Sequence, residues 1–248
     1  MSGIIKKKIQ RVKNIKLLMT TTKKGSNEIS NFYNLIPEDL KKKYHNPNFL
    51  NHLIKIPARL LIIGGSGSGK TNVAMEIIHR MSGTFEKIVI CCKSKAEPLY
   101  EFLETKISPE HLEIYEGIEN VPPVDKYKGT GQMLIIFDDL VLDKNQAEIE
   151  QYFIRGRKIG GGITCIYLSQ SYFKTPKTIR LQCNYLILKK LSSKRDLAQI
   201  LNEFSLGKDI KELTALYKDA TTNPLSFLMI DADAPEEMKF RKGFLEIY

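Results

Sequence analysis

No apolar run in the chain approaches the roughly 18 residues that a membrane-spanning helix needs, and its first residues hold no hydrophobic signal core. Those two absences predict a protein that works inside a cell and away from any bilayer. Cysteine is scarce. Cys91, Cys92, Cys165 and Cys183 form no CxxC pair, and the first three lie inside apolar runs, so they read as buried free thiols rather than metal ligands. Acidic residues are missing ahead of Glu28, while Lys6, Lys7, Lys8, Arg11, Lys13, Lys16, Lys23 and Lys24 crowd the same stretch. That stretch is either a solvated tail or an arm that neutralises nucleic-acid phosphates; a presequence would prefer arginine. No internal repeat is visible.

What is present is a chain of 248 residues, 42% hydrophobic, with a formal charge of +10 and a pI near 9.3. The length supports a sizeable core, and the charge favours an anionic partner. Residues 1–56 read as a basic arm and polar lead-in, with one short helix expected over 37–44, and residues 57–248 as the main domain. Apolar, β-branched runs recur at 60–63, 88–92, 112–115, 133–137, 163–168, 185–188 and 227–230. Several are apolar at consecutive positions, as strands covered on both faces are. Helical spacing separates them: Ala74, Ile77, Ile78 and Met81; Ile149, Tyr152 and Phe153; Leu197, Ile200, Leu201 and Phe204. Gly207 is expected to stop a helix over 196–206, and Asp209 to start the next. The alternation predicts an α/β fold with a mostly parallel central sheet covered by helices on both faces, closed after Pro224 by a hairpin or antiparallel edge.

The stretch "RLLIIGGSGSGKTNVAMEII" carries the first chemistry. Gly64, Gly65, Ser66, Gly67, Ser68, Gly69, Lys70 and Thr71 satisfy G-x-x-x-x-G-K-[ST] between an apolar strand and an amphipathic helix. Glycines let backbone N–H groups turn inward on phosphates, and the helix N-terminus adds its positive end. Lys70 reaches the β and γ oxygens, and the Thr71 hydroxyl ligates Mg²⁺. A chance Gly/Ser turn is the plainer alternative, and the flanking strand and helix weigh against it.

A triphosphate site needs a second metal-holding group, and "MLIIFDDL" offers Asp138 for Mg²⁺ and Asp139 to polarise an attacking water. A capping pair at a strand end is the alternative. The guanine-reading Asn-Lys-x-Asp sequence is absent. The next apolar run ends in Ser169 and Gln170, which suits the motor class of P-loop NTPase, RecA-like, with an added strand and a catalytic acid beside the metal ligand. There Gln170 would sense the γ-phosphate or orient the water. Arg155 and Arg157, just ahead of Gly160–Gly162, are candidates for a charge supplied across a subunit boundary, or else a solvated helix end. Lys189, Lys190, Lys194 and Arg195 are candidates for DNA phosphate contact, or else a solvated helix surface.

The set "GGSGSGKT", "LIIFDDL", "RGRKIGGGITCIYLSQ" and "TPKTIRLQCNYLILKK" resembles the genome-packaging ATPases of large double-stranded DNA viruses and virophages, the poxvirus-type branch of the FtsK–HerA superfamily. The likeness covers about 57–205. It implies ATP hydrolysis with Mg²⁺, coupled to pumping duplex DNA into a preformed capsid by a homo-oligomeric ring of roughly five or six subunits. It further implies docking on capsid vertex proteins, no membrane partner, and work at a virus assembly site in the host cell or with the virion. Lys70 and Thr71 take the Walker A roles, Asp138 and Asp139 Walker B, Gln170 the sensor, and Arg155 or Arg157, with Arg180 behind them, the trans finger. Cellular members carry Glu where Asp139 stands, which leaves the base role less anchored. A RecA-like helicase or recombination ATPase and a nucleotide-gated DNA-binding protein remain alternatives; a small-molecule kinase lacks its arginine-rich lid.

Overall fold

A computed structural model describes residue 29 and residues 31–205 and 207–248; the basic stretch 1–24 lies outside the described residues. The chain divides into two compact units, one ending at Lys43 and one spanning Tyr44–Tyr248. The first holds two single 3-10 turns, Phe32–Leu35 and Glu38–Leu40, and only the second falls within 37–44, where one helix was expected. Neither turn buries a residue, so no packing offsets the cost of extending a turn into a helix. Residues 44–56 group with the second unit, where His52 and Ile54 are fully buried.

The second unit is built on a nine-stranded sheet in the order β3-β2-β4-β5-β1-β6-β7-β8-β9. Its strands are β1 (Arg59–Ile63), β2 (Lys87–Cys92), β3 (Leu112–Glu116), β4 (Met133–Asp138) and β5 (Ile163–Ser169). β6 (Tyr185–Leu188), β7 (Leu228–Asp231), β8 (Phe240–Lys242) and β9 (Glu246–Ile247) complete it. β1 to β6 pair in parallel, and β7, β8 and β9 add antiparallel. The helices are α1 (Lys70–Arg80), α2 (Pro98–Glu104), α3 (Ala147–Arg155), α4 (Lys177–Gln182), α5 (Lys194–Glu203) and α6 (Ile210–Ala220).

Alternate strand residues feed two cores. Leu60, Ile62, Ile88 and Ile90 meet Val73, Ala74 and Ile77 of α1 and Tyr100 and Leu103 of α2 on one face. Leu61, Ile63, Val89 and Cys91 share the other face with residues of α3, α4, α5 and α6. Burial on both faces is why the strands read as continuous apolar runs, each such side chain contributing about 1.5–3 kcal/mol. This is a mostly parallel sheet flanked by helices, the RecA-like P-loop NTPase fold with a catalytic-acid strand, as expected.

One helix departs from its expected end. α5 begins at Lys194, where the Ser193 side chain accepts from Asp196 N–H, and stops at Glu203, ahead of Gly207. Phe204 leaves the helix and sets its ring edge-on to Tyr172, at 6.3 Å between centroids.

The chain leaves β1 through α1 on one face and β5 through α4 on the other. Neighbouring strands whose connections depart in opposite directions open a crevice at their C-terminal ends. The glycine loop and Gln170 stand on its two sides.

Candidate nucleotide site

The phosphate loop is pinned to both neighbours of β1. Gly64 N–H donates to Ser169 O at 3.2 Å on the β5 side, and Gly65 N–H to Lys190 O at 3.3 Å beyond β6. A Cβ on Gly64 would sit 2.4 Å from Ser68 Oγ and 2.6 Å from Lys189 Cβ, so the loop closes only around a bare backbone. Gly69, at φ 85°, turns the chain into α1, whose first-turn N–H groups have no partner within the helix and face the loop. Lys70 Nζ folds back and donates to Gly64 O and Gly65 O, both at 3.0 Å. Burial lowers the pKa of this ammonium, and the carboxylates of Asp138 and Asp139 work against that shift.

Asp138 ends β4. Its Oδ2 accepts from Thr71 Oγ1 at 3.5 Å and from the hydroxyl of Tyr100, which α2 brings in from its buried face. Burial raises the Asp138 pKa, and the hydrogen bond from Tyr100 opposes that shift. A hydroxyl and a carboxylate this close, both hard oxygen donors, fit Mg²⁺. Among the described residues no cluster of three His, Cys, Asp or Glu side chains is present.

Asp139 follows in the left-handed region, at φ 57°, which turns its side chain off the strand line. β5 lies between β4 and β1, with Asp138 beside Leu168 and Ile63 beside Ser169. Gln170, one residue past the strand, donates from Nε2 to Asp139 Oδ1 at 2.9 Å. The loop behind it is tied by Ser169 Oγ, which donates to Ser171 O and accepts from Thr175 Oγ1, both at 2.9 Å. Thus Lys70, Thr71, Asp138, Asp139 and Gln170 converge on one crevice.

The arginines do not converge there. Arg155 closes α3 and its Nη2 pairs with Asp125 Oδ1 at 2.6 Å. Arg157 is exposed and pairs with no carboxylate among the described residues. Arg180 lies over the Tyr172 ring at 4.5 Å and against Glu203 at 3.4 Å.

One candidate for DNA contact is corrected. Lys189 is 1% exposed, and its Nζ donates to Pro224 O and Ser226 O, so it cannot reach a duplex. Period-two alternation at the end of β6 turns Lys189 inward and Lys190 out. Lys190, Lys194 and Arg195 are exposed, with Arg195 over the Phe173 ring at 4.4 Å.

Tyr100 is a site residue that the sequence reading missed. Its helix was signalled by Glu97-Pro98, an N-cap and a proline at the first helical position, but the contact to Asp138 spans distant parts of the chain.

A family model described as Poxvirus A32 protein matches residues 47–234. No curated protein matches the chain in sequence. Among solved structures, the genome packaging NTPase B204 from Sulfolobus turreted icosahedral virus 2, in complex with ATP-gammaS, is similar, with a TM-score of 0.55 at 16% identity over 78% of this chain and 100% of that one. The DNA-packaging ATPase B204 from Sulfolobus turreted icosahedral virus is similar too, at 0.55 and 13% over 77% and 98%. The cytoplasmic domain of the type VII secretion ATPase EccC of Thermomonospora curvata gives 0.53 and 15% over 88% of this chain and 31% of that one. At these identities the likeness speaks to the fold.

Proposed function

This chain belongs to the poxvirus A32 protein family, and from that premise we propose that it is an ATP-driven translocase of double-stranded DNA, of the FtsK–HerA type, that packages a viral genome into a preformed capsid. The observation that carries the reading is the Gln170–Asp139 hydrogen bond set across β5 from the phosphate loop. Binding a nucleotide needs neither group; hydrolysing one needs both a base and a sensor.

In this reading Lys70 leaves the Gly64 and Gly65 carbonyls for the β and γ oxygens of ATP, and the backbone of 64–69 takes up the remaining phosphate charge. Thr71 and Asp138 hold Mg²⁺, which when bound neutralises charge on the β and γ oxygens. Asp139 accepts a proton from the water that attacks the γ-phosphorus, and the bond to the ADP oxygen breaks in line. Gln170 fixes the Asp139 carboxylate and follows the loss of the γ-phosphate, passing it to the loop held by Ser169 and Thr175. Arg157 serves as the arginine offered to a neighbouring subunit in a ring, since Arg155 would first have to leave Asp125. Such a residue contributes roughly 10³ to 10⁵ in rate. The exposed Lys190, Lys194 and Arg195, with the basic stretch 1–24, supply sequence-tolerant contacts to phosphates.

The test is ATP hydrolysis by the full chain with long duplex or single-stranded DNA at low and moderate salt. Duplex stimulation that weakens with salt is expected. Stimulation by single strands alone would move the chain to the helicase class, and turnover absent under all conditions would leave a nucleotide-gated binding protein.

A further inference from the structure

The loop that carries Gln170 reaches beyond the catalytic crevice to α5. Two residues past Gln170, Tyr172 is 1% exposed. Its N–H donates to Asp196 Oδ2 at 3.1 Å in the first turn of α5, and its hydroxyl donates to the carboxylate of Glu203, the last residue of that helix. Asp196 and Glu203 stand about 10 Å apart along the helix axis. Tyr172 therefore lies lengthwise on α5 and grips it at both ends.

Other side chains close on this grip. Arg180 covers the Tyr172 ring at 4.5 Å, its Nε donates to Thr175 O at 3.2 Å, and its Nη1 meets Glu203 at 3.4 Å. Gln199 Nε2 donates to Glu203 at 2.7 Å, and the Phe204 ring stands edge-on to Tyr172. Thr175 in turn donates to Ser169 Oγ at the end of β5. With its side chain 14% exposed, Arg180 is held within its own chain rather than offered to a neighbour.

The same helix presents cations to solvent. Lys194 and Arg195 of its first turn are exposed, and the Arg195 guanidinium lies over the ring of Phe173, the residue after Tyr172. The Ser193 hydroxyl accepts from Asp196 N–H at 3.1 Å, so the buried carboxylate that holds Tyr172 and the two cations share one capped turn. A helix held at both ends by one residue moves with that residue as a body. Beside its last turn, a cavity of about 450 Å³ lined in part by Tyr172, Arg180, Glu203 and Phe204 leaves room for such a shift, which close packing would deny.

We propose that Tyr172 is the positioning residue that links Gln170 to the phosphate contacts of α5, so that duplex affinity differs between the ATP-bound and the ADP-bound chain. The inference rests on the translocase reading given above, in which Lys194 and Arg195 meet duplex phosphates and Gln170 follows the γ-phosphate. Such a link is reciprocal: the factor by which a nucleotide changes duplex affinity is the factor by which duplex changes affinity for that nucleotide.

Fluorescence anisotropy of a labelled duplex, titrated with the full chain in Mg²⁺ and either a non-hydrolysable ATP analogue or ADP, tests it. In the wild type the two dissociation constants are expected to differ by about fivefold or more. Tyr172→Phe keeps the ring under Arg180 and loses the hold on Glu203, and Glu203→Gln weakens the same hold from the helix side. Each is expected to bring the ratio below about twofold, and the double variant to bring it no lower, because both remove one contact. ATP hydrolysis without DNA is expected to stay within about twofold of wild type, since neither side chain touches the nucleotide crevice. Glu203 is exposed, so its variant tests the link whether or not Tyr172→Phe folds. A merely structural role would lower both duplex affinities together and keep the ratio; a wild-type ratio in both single variants overturns the proposal and leaves the translocase reading standing. Equal duplex affinity with the two nucleotides in the wild type overturns the link as well. A wild type that binds no duplex with either nucleotide overturns the translocase reading itself, and the inference with it.

Discussion

The parallel block of the sheet and its antiparallel edge use polar residues in opposite ways. At the ends of β1, β4 and β5, Lys70, Asp138, Asp139 and Gln170 gather where the chain turns, held by hydrogen bonds that a ligand can replace. In β7 and β8 the charges sit within the sheet. Asp231 Oδ2 and Arg241 Nη2 pair at 3.3 Å with the arginine 1% exposed, and Arg241 Nη1 also donates to Phe244 O at 3.2 Å. In the first region the strands place exchangeable groups. In the second, the groups lock the strands. Damage to the first is expected to read out as rate, and damage to the second as stability.

Asp139→Asn is the largest of these effects. The amide keeps the Gln170 contact but cannot take a proton, so kcat for ATP is expected to fall by roughly 10² to 10⁴, with ATP binding and thermal unfolding little changed. A loss of stability in place of rate would break the comparison. Asp231→Ala does the converse. It strands a buried guanidinium and is expected to destabilise the chain by about 3–5 kcal/mol in denaturant unfolding, while the folded fraction still binds ATP.

Tyr100→Phe sharpens the comparison from within the catalytic region. Removing the hydroxyl frees the Asp138 carboxylate to turn, and the Mg²⁺ concentration that half-saturates nucleotide binding is expected to rise by roughly 10 to 100-fold. The smallest effect sits on β3, at the far edge of the parallel block. Burial alone would raise the pKa of Glu113, but hydrogen bonds from Lys87, Lys126, Tyr115 and Tyr127 win and hold it at about 2. Its folded pKa is below the unfolded value, so the stability it contributes is complete above about pH 4.5 and is lost as pH falls toward 2. Glu113→Gln is expected to flatten that part of the stability profile, measured by chemical unfolding across the acid range.

The strands were legible because two-sided burial writes itself as unbroken apolar runs, and the glycine loop because its backbone geometry admits few other residues. The Asp138-Asp139 pair and Gln170 could be read as neighbours since a strand order with one intervening strand brings their ends together. Three features were not legible. Lys189 carries a side chain that normally marks the surface, and its burial depends on a loop from 224 to 226. Tyr100 sits on a helix of two turns whose apolar pattern looks like simple core. The Arg155 pairing with Asp125 joins segments with no shared periodicity. Each is a contact between distant parts of the chain, which local pattern does not encode.

The most direct measurement is displacement of a third strand from a long duplex by the full chain, followed with ATP, without ATP, and in Lys70→Ala. The account predicts displacement that needs ATP and vanishes in the variant; a third strand left in place while duplex-stimulated ATP hydrolysis proceeds would contradict it.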